Sequence, residues 1–517
     1  MRPKPRSSSG QRSALEGSCR VRETTTTRKR FTLHLSTDRG DLHMPSQPSR
    51  RTFLRSIGAM GLAAYALQSG SAAASPLPPG SPWARAEYIS GKVRRPHFLD
   101  RSYDIRQFGA VGDGVTNCTE ALKRAIQTCH AAGGGHVVVP AGRWLTGPIH
   151  LLSNVDLHVT ADAVVLFSRR PADYLPAVLT RFEGVELYNY SPLIYAYEQE
   201  NIAVTGSGVL DGQADMENWW PWCGAAKFGW KPGDPRQTEA RNALFAQAEQ
   251  GVPVEQRVFG DSGYLRPSFV EPYRCRNVLI EGITIVGSPM WEIHPVLSEN
   301  VLVQGVTVNS HGPNNDGCNP ESSRMVVIRD CTFDTGDDCI AIKSGRNADG
   351  RRVNVPSEDI LIEGCTMRDG HGGVTIGSEM SGGARNVFVR DCEMSSPNLN
   401  IALRFKTNSV RGGFIEAFHA RDLTIGEVGG SVIDINFFYE EGPGHGFNPI
   451  VGDIDVRNVI VGTATRALNL RGYADDHIRG MTLTDIDFGA TSQPNVVEYV
   501  DDLVLKNVRQ NGVELVI

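Results

Sequence analysis

Asn277-Val-Leu-Ile-Glu-Gly-Ile-Thr-Ile285 reads as a short strand, a one-glycine turn and a second short strand. The chain repeats the phrase as Asn300-Val-Leu-Val-Gln-Gly-Val-Thr-Val308 and as Met325-Val-Val-Ile-Arg-Asp-Cys-Thr-Phe333, with starts 23 and 25 residues apart. Related openings stand at Asn154-Val-Asp-Leu, Asn201-Ile-Ala-Val, Asp359-Ile-Leu-Ile, Asn386-Val-Phe-Val, Asp422-Leu-Thr-Ile and Asp502-Leu-Val-Leu. A repeat of this length is the mark of a solenoid, in which each unit buries its inner face only by stacking on its neighbours. Strands this short, separated by Gly, Asn and Asp turns, predict an all-β chain wound as a single right-handed parallel β-helix.

Around that repeat the sequence divides as follows. Thr119 to Ala132 has helical character, is closed by Gly133-Gly-Gly135, and is expected to cap the N-terminal end of the solenoid. The other end shows no candidate cap. Residues 213–266 interrupt the repeat with Trp219, Trp220, Trp222 and Trp230 and a helix-prone run from Thr238 to Gln250. They are expected to form a long loop insertion on a catalytic β-helix domain of residues 101–517, not a separate domain. Residues 440–449 form a second, Gly/Pro-rich insertion.

The N-terminal part reads as export machinery. Ser49-Arg-Arg-Thr-Phe-Leu54, the apolar run Ile57 to Leu67 and the small residues Ser71-Ala-Ala-Ala74 fit a bacterial twin-arginine signal over residues 44–74. Residues 1–43 are then expected to be an over-extended start or a disordered leader, and 75–100 a linker. The expected destination is the periplasm or the medium. No run of eighteen or more apolar residues marks a membrane-spanning helix.

Residues 75–517 carry 39 lysines and arginines against 54 aspartates and glutamates, a net charge of −15. Such a surface repels nucleic acid and anionic lipid, so neither is expected as a partner. An anionic polysaccharide would need a locally basic site. Nine of the ten cysteines lie after residue 74, an odd number without a C-x-x-C pair, which argues against a complete disulfide framework and against zinc. Cys331, Cys365 and Cys392 occupy the same slot of successive repeats and read as a stack of small buried thiols.

Chemistry-bearing residues recur at about one coil each. Asp316 precedes Asp337 by 21 residues, Asp338 precedes His371 by 33, and His371 precedes Arg404 by 33. Equivalent positions on adjacent coils stack at about 4.8 Å, so these motifs form one ladder roughly 15 Å long. Hydrolysis of a glycosidic bond needs one carboxylic acid and one carboxylate, and three crowded aspartates raise one another's pKa. Glycines 312, 317 and 336 are expected to let a substrate approach the backbone. Arg404 and Lys406 are two apart, share one side of a strand, and could clamp a sugar carboxylate.

With these residues in hand, the chain resembles glycoside hydrolase family 28, the polygalacturonase family, from about residue 100 to its end. Phe108-Gly-Ala-Val-Gly-Asp-Gly114 is similar to the opening coil of pectin-degrading β-helices. Asn314-Asn315-Asp316, Asp337-Asp338, Gly370-His371-Gly372 and Arg404-Phe405-Lys406 match the family's four motifs in order. Asn315 departs from the Thr of many endo-acting members. The resemblance implies inverting hydrolysis of α-1,4-galacturonosidic bonds in pectin or polygalacturonate without a cofactor or metal. In it Asp338 is the acid, Asp316 and Asp337 activate water, His371 supports the acid, and Arg404, Lys406 and Asn314 bind substrate. Coil spacing does not imply inversion, because about 4.8 Å sits near the retaining distance. Gly317-Cys-Asn-Pro-Glu-Ser322 and Asp338-Cys-Ile-Ala-Ile-Lys-Ser-Gly-Arg346 look most like bacterial exo-acting members, and the 213–266 insertion could block one end of the cleft.

Three alternatives stand beside this reading: a pectate-lyase-type eliminating enzyme, a rhamnogalacturonan hydrolase of the same family, and a non-catalytic glycan-binding solenoid. Gly260-Asp-Ser262-Gly lacks the strand–turn–helix context and the partner histidine of a serine hydrolase. Asp338→Asn is expected to abolish hydrolysis and to leave thermal stability nearly unchanged.

Overall fold

The computed structural model describes residues 81–517; the leader and export signal expected over residues 1–74 lie outside them. The repeat winds into a right-handed parallel β-helix, the sense that crossovers between parallel strands take. Each coil contributes a strand to each of three ladders. The first ladder stacks Val278, Val301, Val326, Ile360, Val387 and Phe418 in register on successive coils. The second stacks Ile285, Val308, Phe333, Met367 and Met394. The third aligns Ile293, Cys318, Ile340, Val374 and Leu403. All of these side chains point inward and are buried in one continuous core.

The Asn or Asp that opens each repeat has a physical reason. Asn154, Asn201, Asn277 and Asn300 all adopt left-handed backbone, with φ between 54° and 66°, a conformation these residues tolerate better than other non-glycine residues. Their amides form a ladder: Asn201 Nδ2 donates to Asn154 Oδ1 at 3.0 Å, Asn277 Nδ2 to Asn201 Oδ1 at 2.9 Å, and Asn300 Nδ2 to Asn277 Oδ1 at 2.6 Å.

Helix α1 (Trp83–Lys92) lies inside the segment expected as a linker. Its Trp83, Ala86 and Ile89 pack on Leu279, Leu302, Val327, Leu361 and Phe388, the outward residues of the first ladder. That ladder is therefore buried on both faces, which explains why its strands run Val-Leu-Ile or Val-Phe-Val without polar alternation. Helix α2 (Thr119–Ala131) is the expected N-terminal cap and buries Ala121, Leu122, Ala125, Ile126 and Cys129. At the far end no helix among the described residues caps the coil. The last long strand, Val500–Gln510, is met by Val513–Glu514 turning back antiparallel, with Leu515 against the core.

The 213–266 insertion carries helix α3 (Thr238–Glu249) and short 3-10 turns. Trp219 is fully buried, packs edge-on to Trp222 at 4.8 Å and to Tyr174 at 5.4 Å, and joins the main core of the solenoid. A hairpin of Val178–Phe182 and Val185–Asn189 packs beside the insertion. Its tip, Glu183-Gly184, has positive φ at both positions, the geometry of a tight two-residue hairpin. Among the described residues all nine cysteines are free, and Cys331, Cys365 and Cys392 are buried at the same slot of successive coils.

Candidate active site

Three turns between the second and third ladders bring the acidic motifs together. Asp316 precedes the Cys318 coil, Asp337 and Asp338 precede Ile340–Ile342, and His371 precedes Val374–Ile376. Arg404 and Lys406 lie on the next strand, Leu403–Lys406, where Leu403 and Phe405 point into the core and the two cations point out. The predicted ladder therefore forms, and one oxygen from each of Asp316, Asp337 and Asp338 lies within 4.8 Å of the others. His311, Asp334 and Asp369 make a second group with donor atoms that close, on the neighbouring surface.

The aspartates differ in their partners. Asp338 is fully buried; Lys406 Nζ stands 2.6 Å from its Oδ2 and Arg404 Nη1 3.4 Å from its Oδ1. Asp337 Oδ1 is 3.0 Å from His371 Nδ1 and accepts the Asp338 backbone N–H at 3.0 Å. Burial alone would raise the Asp337 pKa, but the hydrogen bond to His371 and the fields of His371, Lys406 and Lys343 hold it down at about 2. The same contact with Asp337 raises His371 above its ordinary value. Asp316 goes the other way. Burial, reinforced by Asp337 and Asp338, pushes it up to about 7, although Lys343 Nζ lies 3.3 Å from its Oδ2 and Asn319 Nδ2 donates to that oxygen at 3.1 Å.

The geometry revises three expectations. His371 supports Asp337, not Asp338. Of the three carboxyls, Asp316 is the one whose pKa burial pushes up, while Asp338 is the one paired to Lys406 and Arg404. Glycines 317 and 336 serve coil stacking more than substrate approach: an added Cβ would lie 2.4 Å from the Phe333 ring or 2.3 Å from the Gly312 carbonyl oxygen. Asn314 lines the pocket, and its side-chain oxygen accepts from Arg266 Nη2 at 2.8 Å. Asn315 turns away from the acids. It accepts from Ser310 Oγ and Gly312 N and donates to the Ser288 and Met290 carbonyls, bracing the turn with every hydrogen bond made.

Several pocket residues were not anticipated. Lys343 bridges Asp316 and Glu379, 3.3 and 3.2 Å away; burial opposes its charge, but the two carboxylates raise its pKa. Its signal was present: Lys343 ends Ile340-Ala-Ile-Lys in the phase in which Lys406 ends Leu403-Arg-Phe-Lys. Opposite the acids stands a wall of charge. Arg241 of α3 makes a forked contact to Glu183 at the hairpin tip, and Arg346 reaches Glu183, Glu379 and Glu440. The Tyr439 ring stands 5.5 Å from Lys406 Nζ. The cavity that these residues line measures about 240 Å³. Three lysine and arginine side chains against the three aspartates offset the negative charge that would otherwise make this cluster a cation site.

A crystal structure from Thermotoga maritima, described as a hyperthermoactive exopolygalacturonase, aligns with a TM-score of 0.80 and 48% sequence identity, covering 83% of this chain and 96% of that one. The chain belongs to glycosyl hydrolase family 28. Residues 258–505 match the description "Glycosyl hydrolases family 28", and residues 102–158 match "Rhamnogalacturonase A/epimerase, pectate lyase-like". A probable polygalacturonase of Vitis vinifera is 29% identical over 402 residues, spanning 74% of each chain. An exo-poly-alpha-D-galacturonosidase of Dickeya chrysanthemi is 26% identical over 358 residues, 66% of this chain and 58% of that one. The family 28 chain is therefore a glycoside hydrolase, and its four family motifs line one pocket.

Proposed function

We propose that this family 28 enzyme hydrolyses polygalacturonate from the chain end, releasing single galacturonate units. The observation that carries this reading is the pocket itself: Asp316, Asp337, Arg404 and Lys406 line a cavity of about 240 Å³ that is also walled by Glu183, Arg241, Arg346, Glu379 and Glu440. A groove that binds mid-chain must be open at both ends, whereas the hairpin tip and α3 bring Glu183 and Arg241 to the wall of this one. The cations give a uronate a binding partner on a chain whose net charge would otherwise repel it.

The same cations suggest how the acid is loaded. A substrate carboxylate that takes up Arg404 and Lys406 removes the cationic partners of Asp338 and leaves an anion beside it. Asp316, whose pKa burial pushes up to about 7, is the neighbouring source of a proton. Its transfer would leave Asp316 ionised beside Asp337, two carboxylates to position and deprotonate the water, with Asp338 ready to protonate the leaving oxygen. Nearest-oxygen distances are shorter than separations between carboxyl groups, so the inverting outcome rests on the family resemblance.

Elimination is the weaker reading, since it leaves no role for an aspartate poised to donate a proton. Export through the twin-arginine route, read from residues 44–74, would bring the enzyme to extracellular pectin. One digest of polygalacturonate without added calcium tests the proposal. Galacturonate as the sole early product supports exo hydrolysis; mixed oligomers mean endo cleavage, and ultraviolet-absorbing products mean a lyase.

A further inference from the structure

The strand registers carry the row of outward side chains past the catalytic pocket. Arg404 aligns with Asp434 and then Asn469; Lys406 aligns with Asn436 and then Arg471. The residues between them, Phe405, Ile435 and Leu470, are all buried in the core, so both rows face outward on the side that bears the site. Arg471 thus lies two coils beyond Lys406 on the same row, about 9.6 Å away at the usual strand spacing. Cations therefore occupy alternate coils, Lys406 and then Arg471, with a neutral amide between them.

Two local features hold Arg471 at the surface. Its guanidinium lies 4.9 Å from the centre of the Phe438 ring, which is 36% exposed. Phe438 is the chain neighbour of Tyr439, whose ring stands beside Lys406. Among the described residues the anion paired to Arg471 is Glu498, at 3.1 Å, and that pair is exposed, with side chains 38% and 46% accessible. Such a pair is worth little and yields readily to another carboxylate. The acid lying between the cations does not block the path: Asp434 is buried, accepts from Asn469 Nδ2 at 2.5 Å, and is pushed by burial toward its neutral form.

We infer that Arg471, with Phe438 beside it, is a downstream subsite for a uronate carboxylate two sugar units beyond the one held by Arg404 and Lys406. An α-linked pyranose chain laid along the solenoid advances by about one strand spacing per unit, so every second unit meets a cation. This rests on the galacturonate reading above and adds to it a preference for oligomers long enough to reach the second cation.

Steady-state kinetics on digalacturonate and tetragalacturonate test it in wild type, Arg471→Met and Arg471→Lys. Arg471→Met is expected to raise KM for tetragalacturonate by about tenfold, the loss of one charge-assisted contact, and to leave its kcat and both constants for digalacturonate unchanged. Arg471→Lys is expected to recover part of the loss, and added salt to shrink the difference between wild type and variant. Unchanged KM for tetragalacturonate would overturn the inference. So would an equal rise for both lengths, which is the signature of a merely structural role. A wild type that cleaves neither oligomer would instead overturn the galacturonate reading on which the subsite rests.

Discussion

Replacing Asp338 by Asn is the change with the most to say about this site. Geometry predicts more than lost activity. Lys406 is 7% exposed, and its ammonium lies 2.6 Å from the Asp338 carboxylate. Burial opposes the Lys406 charge, and Asp338 is the largest influence that restores it, leaving its pKa raised. Removing one member of a buried pair strands the other, at a cost of about 3–5 kcal/mol. The low end applies here, because the asparagine oxygen still accepts from Lys406 and Asp337 and Glu379 remain nearby. With an unfolding entropy of about 2.1 cal/mol/K per residue, 3 kcal/mol corresponds to a melting shift of about 3–4 °C in a chain of this size.

The sign with pH follows from the raised Lys406 pKa. Its contribution is complete below the unfolded lysine value and is lost only as pH rises through the folded one, so the penalty should be constant from pH 5 to pH 8. Calorimetric melts of wild type, Asp338→Asn, Lys406→Met and the double variant supply the cycle. The double variant should melt above Asp338→Asn, because it no longer buries an unpaired ammonium. An Asp338→Asn protein that melts with wild type, the outcome expected from sequence alone, would refute the buried pair; one that still releases reducing sugar would refute the acid.

Because Asp316 is pushed up to about 7, kcat/KM should fall as pH rises through about 7 and the free enzyme loses the proton it transfers; a pH-rate profile checks this. His371→Asn removes the strongest contact holding Asp337 near 2, so its acid limb should move to higher pH than that of wild type in the same profile. Trp83 is 2% exposed and anchors α1 on the first ladder, so Trp83→Ala should cost about 3–5 kcal/mol locally. In a stacked solenoid such a loss stays near its coils, so limited proteolysis should cut at residues 93–100 while activity survives.

Much of this was legible in the chain. The Asn and Asp openings, the apolar triplets and the one-glycine turns determine the coil, and the coil stacks the four motifs. What was missed lay in what the coil carries on its outside. Helix α1 has no side-chain N-cap and contains Gly91, so its own sequence signals little. The better clue was in its partners, where Leu279, Leu302, Val327, Leu361 and Phe388 put an apolar stripe on a face that would otherwise be polar. The pairing of Asp338 with Lys406 was hidden differently. Spacing showed that acids and cations share one face, but only side-chain geometry shows that they hold each other. The hairpin at 178–189, with its Glu-Gly turn between alternating strands, was readable and brings Glu183 to the pocket wall.

A single time course compares the viscosity of a polygalacturonate solution with the reducing ends released in it. End-on attack in the walled pocket predicts that reducing ends accumulate while viscosity stays close to its starting value. An early collapse of viscosity at few bonds cut would mean cleavage within chains and would contradict the account.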